Sequence, residues 1–308
     1  MPSRSSSLRR ARPLLGTLVE IGARGAPQVL QAAVDQAFAA IARVHELMSF
    51  HDPASDVSRL NREALRRPVA VDDHTVRVLE QARRIAATSD GAFDITVAGR
   101  LVQWGYLPGP LPSVAAARHG YRSIELLPHG QVRFHEPVLI DLGGIAKGYA
   151  VDAACRALES QGVTDYVVNA GGDLRVGAVP VAIEVRHPAE PAITAPLVTL
   201  VSGALATSAR YFAVTDPGEG ARHPIVAPAT GAPARYSGSI SVRASECMTA
   251  DALTKVVAVL GAGAAPALER WCADAVLLSD GGDWRRLCDC SPDAASRAVP
   301  RHAVAAHG

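Results

Sequence analysis

The sequence has almost no net charge, no secretory signal core and no membrane-spanning run. Its formal net charge is +1 over 308 residues, which argues against a general nucleic-acid binder because such proteins carry a concentrated basic face. The Ser- and Arg-rich start lacks the apolar core of roughly 7–15 residues found in secretory signals. No run of about 18 uncharged apolar residues occurs. These absences predict a protein without a membrane span or a nucleic-acid partner, and a cytoplasmic location by default.

Cysteine is also scarce, and its spacing excludes the common zinc frameworks. The five cysteines are an odd number, and none of them forms the paired spacing of a four-ligand zinc site. Cys288 and Cys290 make a CxC near the end of the chain without a second half to complete it. A structural or incidental role is favoured over metal binding, and an oxidising compartment is not required.

What the chain does contain is enough apolar sequence for a large core. Apolar residues make up 48% and charged residues 20%, so global disorder is not expected. Residues 1–13 are predicted to be a flexible leader and 291–308 a disordered tail rich in Ala, Pro and His. Residues 14–290 are predicted to form a single domain.

Periodic apolar spacing predicts both helices and strands within that domain. Strands occur in runs rather than in strict alternation with helices, which favours an α+β fold with a mixed or antiparallel sheet covered by helices. The Pro-rich segments 107–112 and 188–196 are predicted to be connections. Helices are predicted at 27–47, 73–89, 146–160, 248–260 and 264–272, and strands at 14–25, 138–142, 165–169, 181–186, 196–201 and 238–243.

The most informative stretch is IDLGGIAKGYAVDAA, residues 140–154. Asp141 ends a predicted strand, Gly143 and Gly144 allow the backbone to approach a ligand, and Lys147 opens a helix. Free N–H groups, the positive end of a helix dipole and an ammonium together suit a phosphate. Neither GxxxxGK[ST] nor GxGxxG is present, so an ordinary packing turn is the alternative for this stretch taken alone.

Further polar clusters follow the predicted elements. Taken singly, each has a structural explanation, because Asp and Ser build turns and caps and aromatic residues are common in cores. An aromatic pair among Phe93, Trp104 and Tyr106 could also sandwich a planar ring. The clusters are the polar loop 49–61, GAFD at 91–94, NAGGD at 169–173, ATSA at 206–209, HPIVAP at 223–228 and ADAL at 250–253.

In this order, the motifs DLGGIAKGYAVD, NAGGD, ATSA and ADAL resemble those of the ApbE family of FAD:protein FMN transferases. The resemblance covers roughly residues 14–262. It implies an ApbE-like fold and a Mg²⁺-dependent enzyme that moves FMN from FAD onto a Ser or Thr hydroxyl of an acceptor protein and releases AMP. Family analogy would also place the protein in the periplasm or at a membrane.

The resemblance assigns residues to the FAD and Mg²⁺ sites. Magnesium suits the chemistry because it takes hard oxygen ligands and substrate phosphates. The implied metal site comprises the carbonyl of Gly144, the carboxylate of Asp251 and position 255, and Asp251 is also the candidate proton acceptor. The implied FAD site comprises Leu15, Ala92, Phe93, Asp94, Asp141, Lys147, Ile225 and Thr254.

Three positions depart from the family pattern. The Thr expected four residues after Asp251 is Lys255, whose ammonium cannot ligate magnesium and would repel it. Pro224 and Ala227 replace a His and an Asp, and Ala209 replaces a Gly. Two arrangements remain possible at position 255: the lysine points into the site, or a rotated helix lets Thr254 supply the oxygen, which is slightly favoured.

These departures make flavin binding a safer prediction than transfer. The alternatives are an FAD pyrophosphatase, a non-catalytic FAD-binding protein that stores or delivers flavin, and an unrelated interaction domain. AMP release in the presence of FAD and Mg²⁺ distinguishes the catalytic from the non-catalytic cases.

Overall fold

The computed structural model describes residues 5–109, 120–209, 223–288 and 290. Seven α-helices lie in this part of the chain: α1 Pro27–Met48, α2 Asp56–Glu63, α3 Asp73–Thr88, α4 Ala98–Gln103, α5 Ala146–Ser160, α6 Cys247–Leu260 and α7 Ala265–Arg270. The strands are β1 Ser6–Leu14, β2 Thr17–Gly25, β3 Val69–Ala70, β4 Ile124–Leu127, β5 Gln131–Phe134, β6 Asp165–Ala170, β7 Asp173–Val176, β8 Val181–Arg186, β9 Thr194–Leu200, β10 Ala204–Ala209, β11 Val226–Ala227, β12 Ala232–Pro233, β13 Ser239–Ala244, β14 Asp274–Leu278 and β15 Trp284–Arg286.

An eight-stranded sheet organises the fold. Its strand order is β1-β2-β6-β7-β10-β13-β14-β15, and every neighbouring pair is antiparallel. Smaller antiparallel sheets are formed by β3-β5-β4, by β8-β9 and by β11-β12. The predicted α+β class, with an antiparallel sheet covered by helices, is confirmed.

The main core lies between three helices and the large sheet. Helix α1 packs on α5, α5 packs on α6, and α6 covers β10 and β13. The apolar spacing that predicted α1 places Phe38, Ile41 and Val44 in the core, where each is buried. Pro27 begins this helix, a position where a missing N–H costs nothing. The boundaries predicted for α5 are those observed.

The hairpin β8–β9 belongs to a second, smaller core. Its buried members include Val185, Leu197 and Leu200, which lie in one cluster with Leu174 of β7 and Leu205 of β10. Because side chains alternate between the two faces of a strand, β7 and β10 present these residues away from the helices.

The prediction of a flexible leader over residues 1–13 is wrong from residue 6 onward, because strand β1 begins there. Residues 6–14 pair along their full length with β2. The strand predicted at 14–25 is observed as β2 over residues 17–25, and it is the second strand of a hairpin rather than the first strand of the fold. Leu15 and Gly16 both have positive φ, 56° and 69°, which is the backbone of a tight hairpin turn. The arginines that suggested a leader form ion pairs: Arg10 and Arg12 contact Asp35 of α1.

The strand predicted at 138–142 is also corrected, because only one isolated bridge joins Leu139 to Val97. The backbone of this segment is satisfied by side-chain and loop contacts. Asn61 donates to the carbonyl of Ile140 at 2.9 Å and accepts from its N–H at 2.8 Å. The N–H of Asp141 donates to the carbonyl of Ile95 at 2.9 Å. Asn61 lies in α2, within the segment predicted to be a polar loop.

One stretch of the described chain, Cys247–Arg270, has the length and apolar composition of a membrane helix. More than half of its most apolar window is buried inside the protein. It contains α6, α7 and the short 3-10 helix between them. The contacts of α6 with α5 and the sheet account for its apolar composition as that of a core helix.

Candidate functional site

A cavity of about 510 Å³ opens where the start of α5 meets the edge of the helical layer. It is lined by the loop 91–97, the turn before α5, the glycine turn between β6 and β7, the end of β10 and the segment 224–226. Eight of the residues predicted for the FAD and metal sites line it: Ala92, Phe93, Asp94, Asp141, Gly144, Lys147, Ile225 and Lys255.

Three predicted residues do not line this cavity. Leu15 lies in the β1–β2 turn, where its N–H donates to His45 Nδ1 at 3.0 Å, and it borders a separate surface hollow. Asp251 and Thr254 are fully buried in α6. Asp251 reaches the cavity wall only through its contact with Lys255.

The glycine turn before α5 gives the cavity its backbone floor. Gly143 and Gly144 both line it. Helix α5 starts at Ala146, and its N-cap residue makes no side-chain capping hydrogen bond. A Cβ on Gly144 would lie 3.5 Å from Phe93 and 3.6 Å from Lys255 Cε. The backbone here therefore sits directly against one aromatic ring and one lysine stem. A helix N-terminus with a lysine in its first turn is a suitable anion site.

Two lysines and two aspartates form an ion-pair quartet beside this turn. Lys147 Nζ contacts Asp173 Oδ2, and Lys255 Nζ contacts Asp251 Oδ1. Both carboxylates are almost completely buried, whereas both lysines line the cavity. Asp173 lies within the NAGGD motif, and no role was predicted for it from the sequence. The signal for it in the sequence is the motif itself, since a carboxylate that becomes buried requires a cation nearby.

The quartet shifts the pKa values of its members. Burial and the neighbouring Asp251 raise the pKa of Asp173 to about 6. Burial would also raise the pKa of Asp251, but the ammonium groups of Lys255 and Lys147 prevail and lower it. Burial acts to lower the pKa of Lys147, yet the carboxylates of Asp173 and Asp251 raise it above its usual range. The cavity therefore presents charged Lys147 to a ligand at neutral pH.

Asp251 also joins the two helices that meet at the cavity. Its Oδ2 accepts the N–H of Gly148, in the first turn of α5, at 3.0 Å. Both carboxylate oxygens are thus engaged, one by an N–H and one by Lys255. A fully buried carboxylate with a lowered pKa and two occupied oxygens is poorly suited to accept a proton. The geometry does not support the predicted role of Asp251 as proton acceptor.

Asp94 and Asp141 line the opposite wall. Asp94 Oδ1 accepts from the N–H and hydroxyl of Thr96 at 2.9 and 2.7 Å, which fixes the loop that carries Phe93. Asp141 is half-buried, and burial raises the pKa of its carboxyl. Its carboxylate lies 2.9 Å from the position of a Cβ on Gly143, so a side chain at 143 would displace it.

Of the three aromatic residues predicted as a possible ring sandwich, Phe93 and Tyr106 line the cavity and Trp104 does not. Tyr236, which was not predicted, lines it too. Tyr236 packs edge-on against His223, with ring centroids 4.9 Å apart. His223 is buried, its Nε2–H donates to the carbonyl of Ala234 at 2.6 Å and its Nδ1 accepts the N–H of Ile225 at 3.3 Å. His223 therefore shapes the loop that presents Ile225.

The end of β10 brings hydroxyls to the cavity. Thr207, Ser208 and Ala209 all line it. Ser208 Oγ lies 2.8 Å from Thr254 Oγ1, which in turn donates to the carbonyl of Asp251 at 2.7 Å. The Thr254 hydroxyl is therefore committed to β10 and to its own helix. Of the two arrangements considered for position 255, the structure contains the one in which Lys255 points into the site.

The other positions that depart from the family pattern lie at the cavity or beside it. Pro224 and Ala209 line it directly, whereas Ala227 pairs in the short β11–β12 hairpin outside it. Neither proline nor alanine offers a polar side chain, so these positions supply shape only.

The donors present do not fit a magnesium site. Mg²⁺ requires near-octahedral oxygen ligands. At the position expected to provide a third ligand stands the ammonium of Lys255, in contact with the carboxylate oxygen that would hold the ion. The second oxygen accepts a backbone N–H. The predicted metal set of Gly144, Asp251 and Lys255 is brought together, but its chemistry is that of an ion pair.

A separate cluster lies away from the cavity, where Asp274, Cys288 and Cys290 place possible ligand atoms within 4.8 Å of one another. Asp274 is paired with Arg243 at 3.0 Å and Arg286 at 3.4 Å. Two guanidinium groups on this carboxylate disfavour an added cation.

Known proteins resemble this chain in sequence and in fold. The sequence matches the ApbE family over residues 15–276. It is 30% identical over 271 residues to the FAD:protein FMN transferase of Vibrio cholerae serotype O1, covering 81% of this chain and 80% of that protein. The ApbE protein of Thermotoga maritima superposes with a TM-score of 0.79 at 29% identity, covering 91% of this chain and 97% of the other. The flavin transferase ApbE from V. cholerae gives 0.74 at 25% identity, with coverages of 92% and 97%.

Proposed function

This chain belongs to the ApbE family, as its motif order predicted, and from that premise we propose that it is an FAD:protein FMN transferase. It would move FMN from FAD onto a Ser or Thr hydroxyl of an acceptor protein and release AMP. The flavin transferase ApbE from V. cholerae shares its fold over about nine-tenths of its length, with 92% of this chain covered. The substrate is therefore FAD, and the second partner is a protein.

The observation that carries the proposal is the composition of one cavity. Lys147, in the first turn of α5, lines the same space as Phe93, Tyr106 and Tyr236. A cation at a helix N-terminus suits a pyrophosphate, and aromatic side chains suit a planar ring system. A volume of about 510 Å³ is within the usual range for cofactor sites.

The proposed reaction forms one phosphoester and breaks one pyrophosphate bond. The acceptor oxygen bonds to the FMN phosphorus, the bond from that phosphorus to the AMP phosphate breaks, and the hydroxyl proton is released. Positioning and neutralisation of phosphate charge supply most of the catalysis in such transfers. Lys147 would hold the pyrophosphate, Asp94 would fix the loop that carries Phe93, and Asp251 would anchor Lys255 and the start of α5.

Magnesium dependence is the finer expectation from the family. When bound, the ion would neutralise phosphate charge. Because Lys255 stands against Asp251, we assign no step to the ion, and the test is made both with and without it.

The test is incubation of the full chain with FAD and an acceptor protein that carries a flavinylation motif. The expected result is a mass increase of one FMN on the acceptor and equimolar AMP. The matched control is the same acceptor with its target Ser or Thr replaced by Ala, which should gain no mass. AMP release without any gain in acceptor mass would indicate an FAD pyrophosphatase, and tight FAD binding without AMP would indicate a flavin-storage protein.

A further inference from the structure

The distribution of lysine in this chain is unusual. Lysine and arginine together number 31, and only two of these residues are lysines. They are Lys147 and Lys255, and both line the same cavity. Arginine serves as the basic residue everywhere else, so the two positions that face the cavity are those where a compact ammonium replaces a planar guanidinium.

The ammonium of Lys255 lies where a cation bound to Asp251 would lie. It contacts Asp251 Oδ1 and donates to the backbone carbonyl of the same residue at 3.0 Å. Both acceptors are hard oxygens of the kind that a divalent ion takes. The lysine stem passes over Gly144, since a Cβ there would lie 3.6 Å from Lys255 Cε and 3.9 Å from its Cδ.

We propose that Lys255 takes the place of a divalent cation at Asp251, so that this chain binds the pyrophosphate of FAD without magnesium. The inference rests on the proposed function and specifies how that site neutralises its ligand. It concerns binding and positioning of FAD, for which Lys147 and Lys255 supply the two positive charges.

Charge counting explains why an added ion is disfavoured. Lys147 and Lys255 are balanced by Asp173 and Asp251, so the quartet is neutral when all four groups are ionised. A divalent ion would have to enter beside the ammonium of Lys255 and compete with it for Oδ1. Removing that ammonium leaves Asp251 with a free oxygen and the quartet with one negative charge, which is the environment that attracts Mg²⁺.

The first experiment measures FAD affinity of the wild-type chain by calorimetry at pH 8, in EDTA and in MgCl₂ at about 5 mM. We expect the two Kd values to agree within about threefold. A Kd that is tenfold or more tighter in MgCl₂ than in EDTA overturns the proposal.

Two variants of one position separate the roles of charge and ligand. Lys255→Thr removes the ammonium and supplies a hydroxyl oxygen, whereas Lys255→Met removes it and supplies none. In EDTA both should bind FAD about 10–100-fold more weakly, the range for loss of one charged contact. MgCl₂ should restore Lys255→Thr to a much greater extent than Lys255→Met. Wild-type affinity in EDTA for either variant contradicts the proposal, and thermal unfolding verifies that each is folded.

A third measurement needs neither FAD nor activity. Protein labelled with ¹³C at lysine alone should give two side-chain spin systems, and the spectrum of Lys255→Met assigns them. Paramagnetic Mn²⁺ broadens signals near its binding site. We expect the Lys255 signals of the wild-type chain to stay sharp at equimolar Mn²⁺. Selective loss of those signals would place a divalent ion at Asp251 and overturn the proposal.

The outcomes distinguish this inference from the proposed function. Tight FAD binding only in MgCl₂ leaves FMN transfer standing and refutes the role of Lys255. Absence of FAD binding in both buffers refutes both. Equal binding in both buffers, with FMN transferred to the acceptor in EDTA, supports both.

Discussion

Helices α5 and α6 cap each other with two buried aspartates, and only one of the two is paired with a cation that lines the cavity. Asp152 of α5 accepts the N–H groups of Cys247 and Met248, at the start of α6, at 3.0 and 2.8 Å. Asp251 of α6 accepts the N–H of Gly148, at the start of α5, at 3.0 Å. Each helix therefore satisfies donors that the other leaves open.

The cations of the two aspartates differ. Asp152 is paired with Arg175 at 2.8 Å, away from the cavity, whereas Asp251 contacts Lys255, which lines it. One pair holds the helices together, and the other holds them together while presenting an ammonium to a ligand. The extent of burial does not distinguish the two aspartates, because both are buried. They differ in the cation that pairs with each one and in whether that cation lines the cavity.

The largest effect is expected on the free energy of unfolding, from loss of the pair between Asp152 and Arg175. Asp152→Ala leaves two N–H groups and the Arg175 guanidinium without their carboxylate, and should lower the free energy of unfolding by about 3–5 kcal/mol. Urea unfolding followed by circular dichroism measures it. A loss below about 1 kcal/mol would show that α6 does not depend on this cap.

The next prediction separates a cation that lines the cavity, Lys147, from one that does not, Arg175, by different readouts. Lys147→Ala should weaken FAD binding by about 1.5–3 kcal/mol, because a hydrogen bond to a charged group is lost, and fluorescence titration measures it. Arg175→Ala is the matched control: it should reduce stability and leave the FAD Kd within about threefold. The opposite pattern would assign the cavity role to the wrong pair.

A third prediction tests how closely α5 and α6 meet. A Cβ on Gly148 would lie 2.3 Å from the carbonyl oxygen of Cys247, whereas a Cβ on Gly144 would make only ordinary contacts at 3.5 and 3.6 Å. Gly148→Ala should therefore cost about 1–3 kcal/mol of unfolding free energy, and Gly144→Ala less than about 1 kcal/mol. Equal costs in urea unfolding would contradict the tight crossing.

The smallest expected effect is a pH dependence. Ionised Asp173 opposes the negative charge of a pyrophosphate, and its pKa is raised to about 6 by burial and by Asp251. As pH falls from 7 to 5 the carboxyl gains its proton and Lys147 is freed, so FAD affinity should increase a few-fold. Asp173→Asn should remove this change. An affinity that falls over the same range would reverse the sign and exclude the explanation.

The sequence predicted the elements whose apolar spacing is regular. Helix α5 has the predicted bounds, and β8 and β6 begin at the predicted residues, because alternation and helical periodicity report burial directly. Strand β1 was missed because its arginines resemble a solvated segment. Their pairing with Asp35 depends on a helix that approaches only in the folded chain.

The sequence motifs predicted most residues of the candidate site, but not the contacts between their side chains. GAFD, the turn before α5 and Lys255 all meet at one cavity. The partner of Lys147 was not predictable, since Asp173 lies 26 residues away and reaches it through the sheet. The position of Leu15 was predicted for the FAD site by resemblance alone, and the hairpin turn places it at another surface.

The mutual capping of α5 and α6 has a consequence for the order of events during synthesis. Gly148 and Asp251 are 103 positions apart, and Asp152 and Cys247 are 95 apart. The ribosome adds roughly 5–20 residues per second. About 5–20 seconds therefore pass between the synthesis of the first turn of α5 and the synthesis of Asp251, which caps it. Throughout that time Lys147 has no Lys255 or Asp251 beside it, so a nascent chain completes the proposed flavin site only after α6 has emerged.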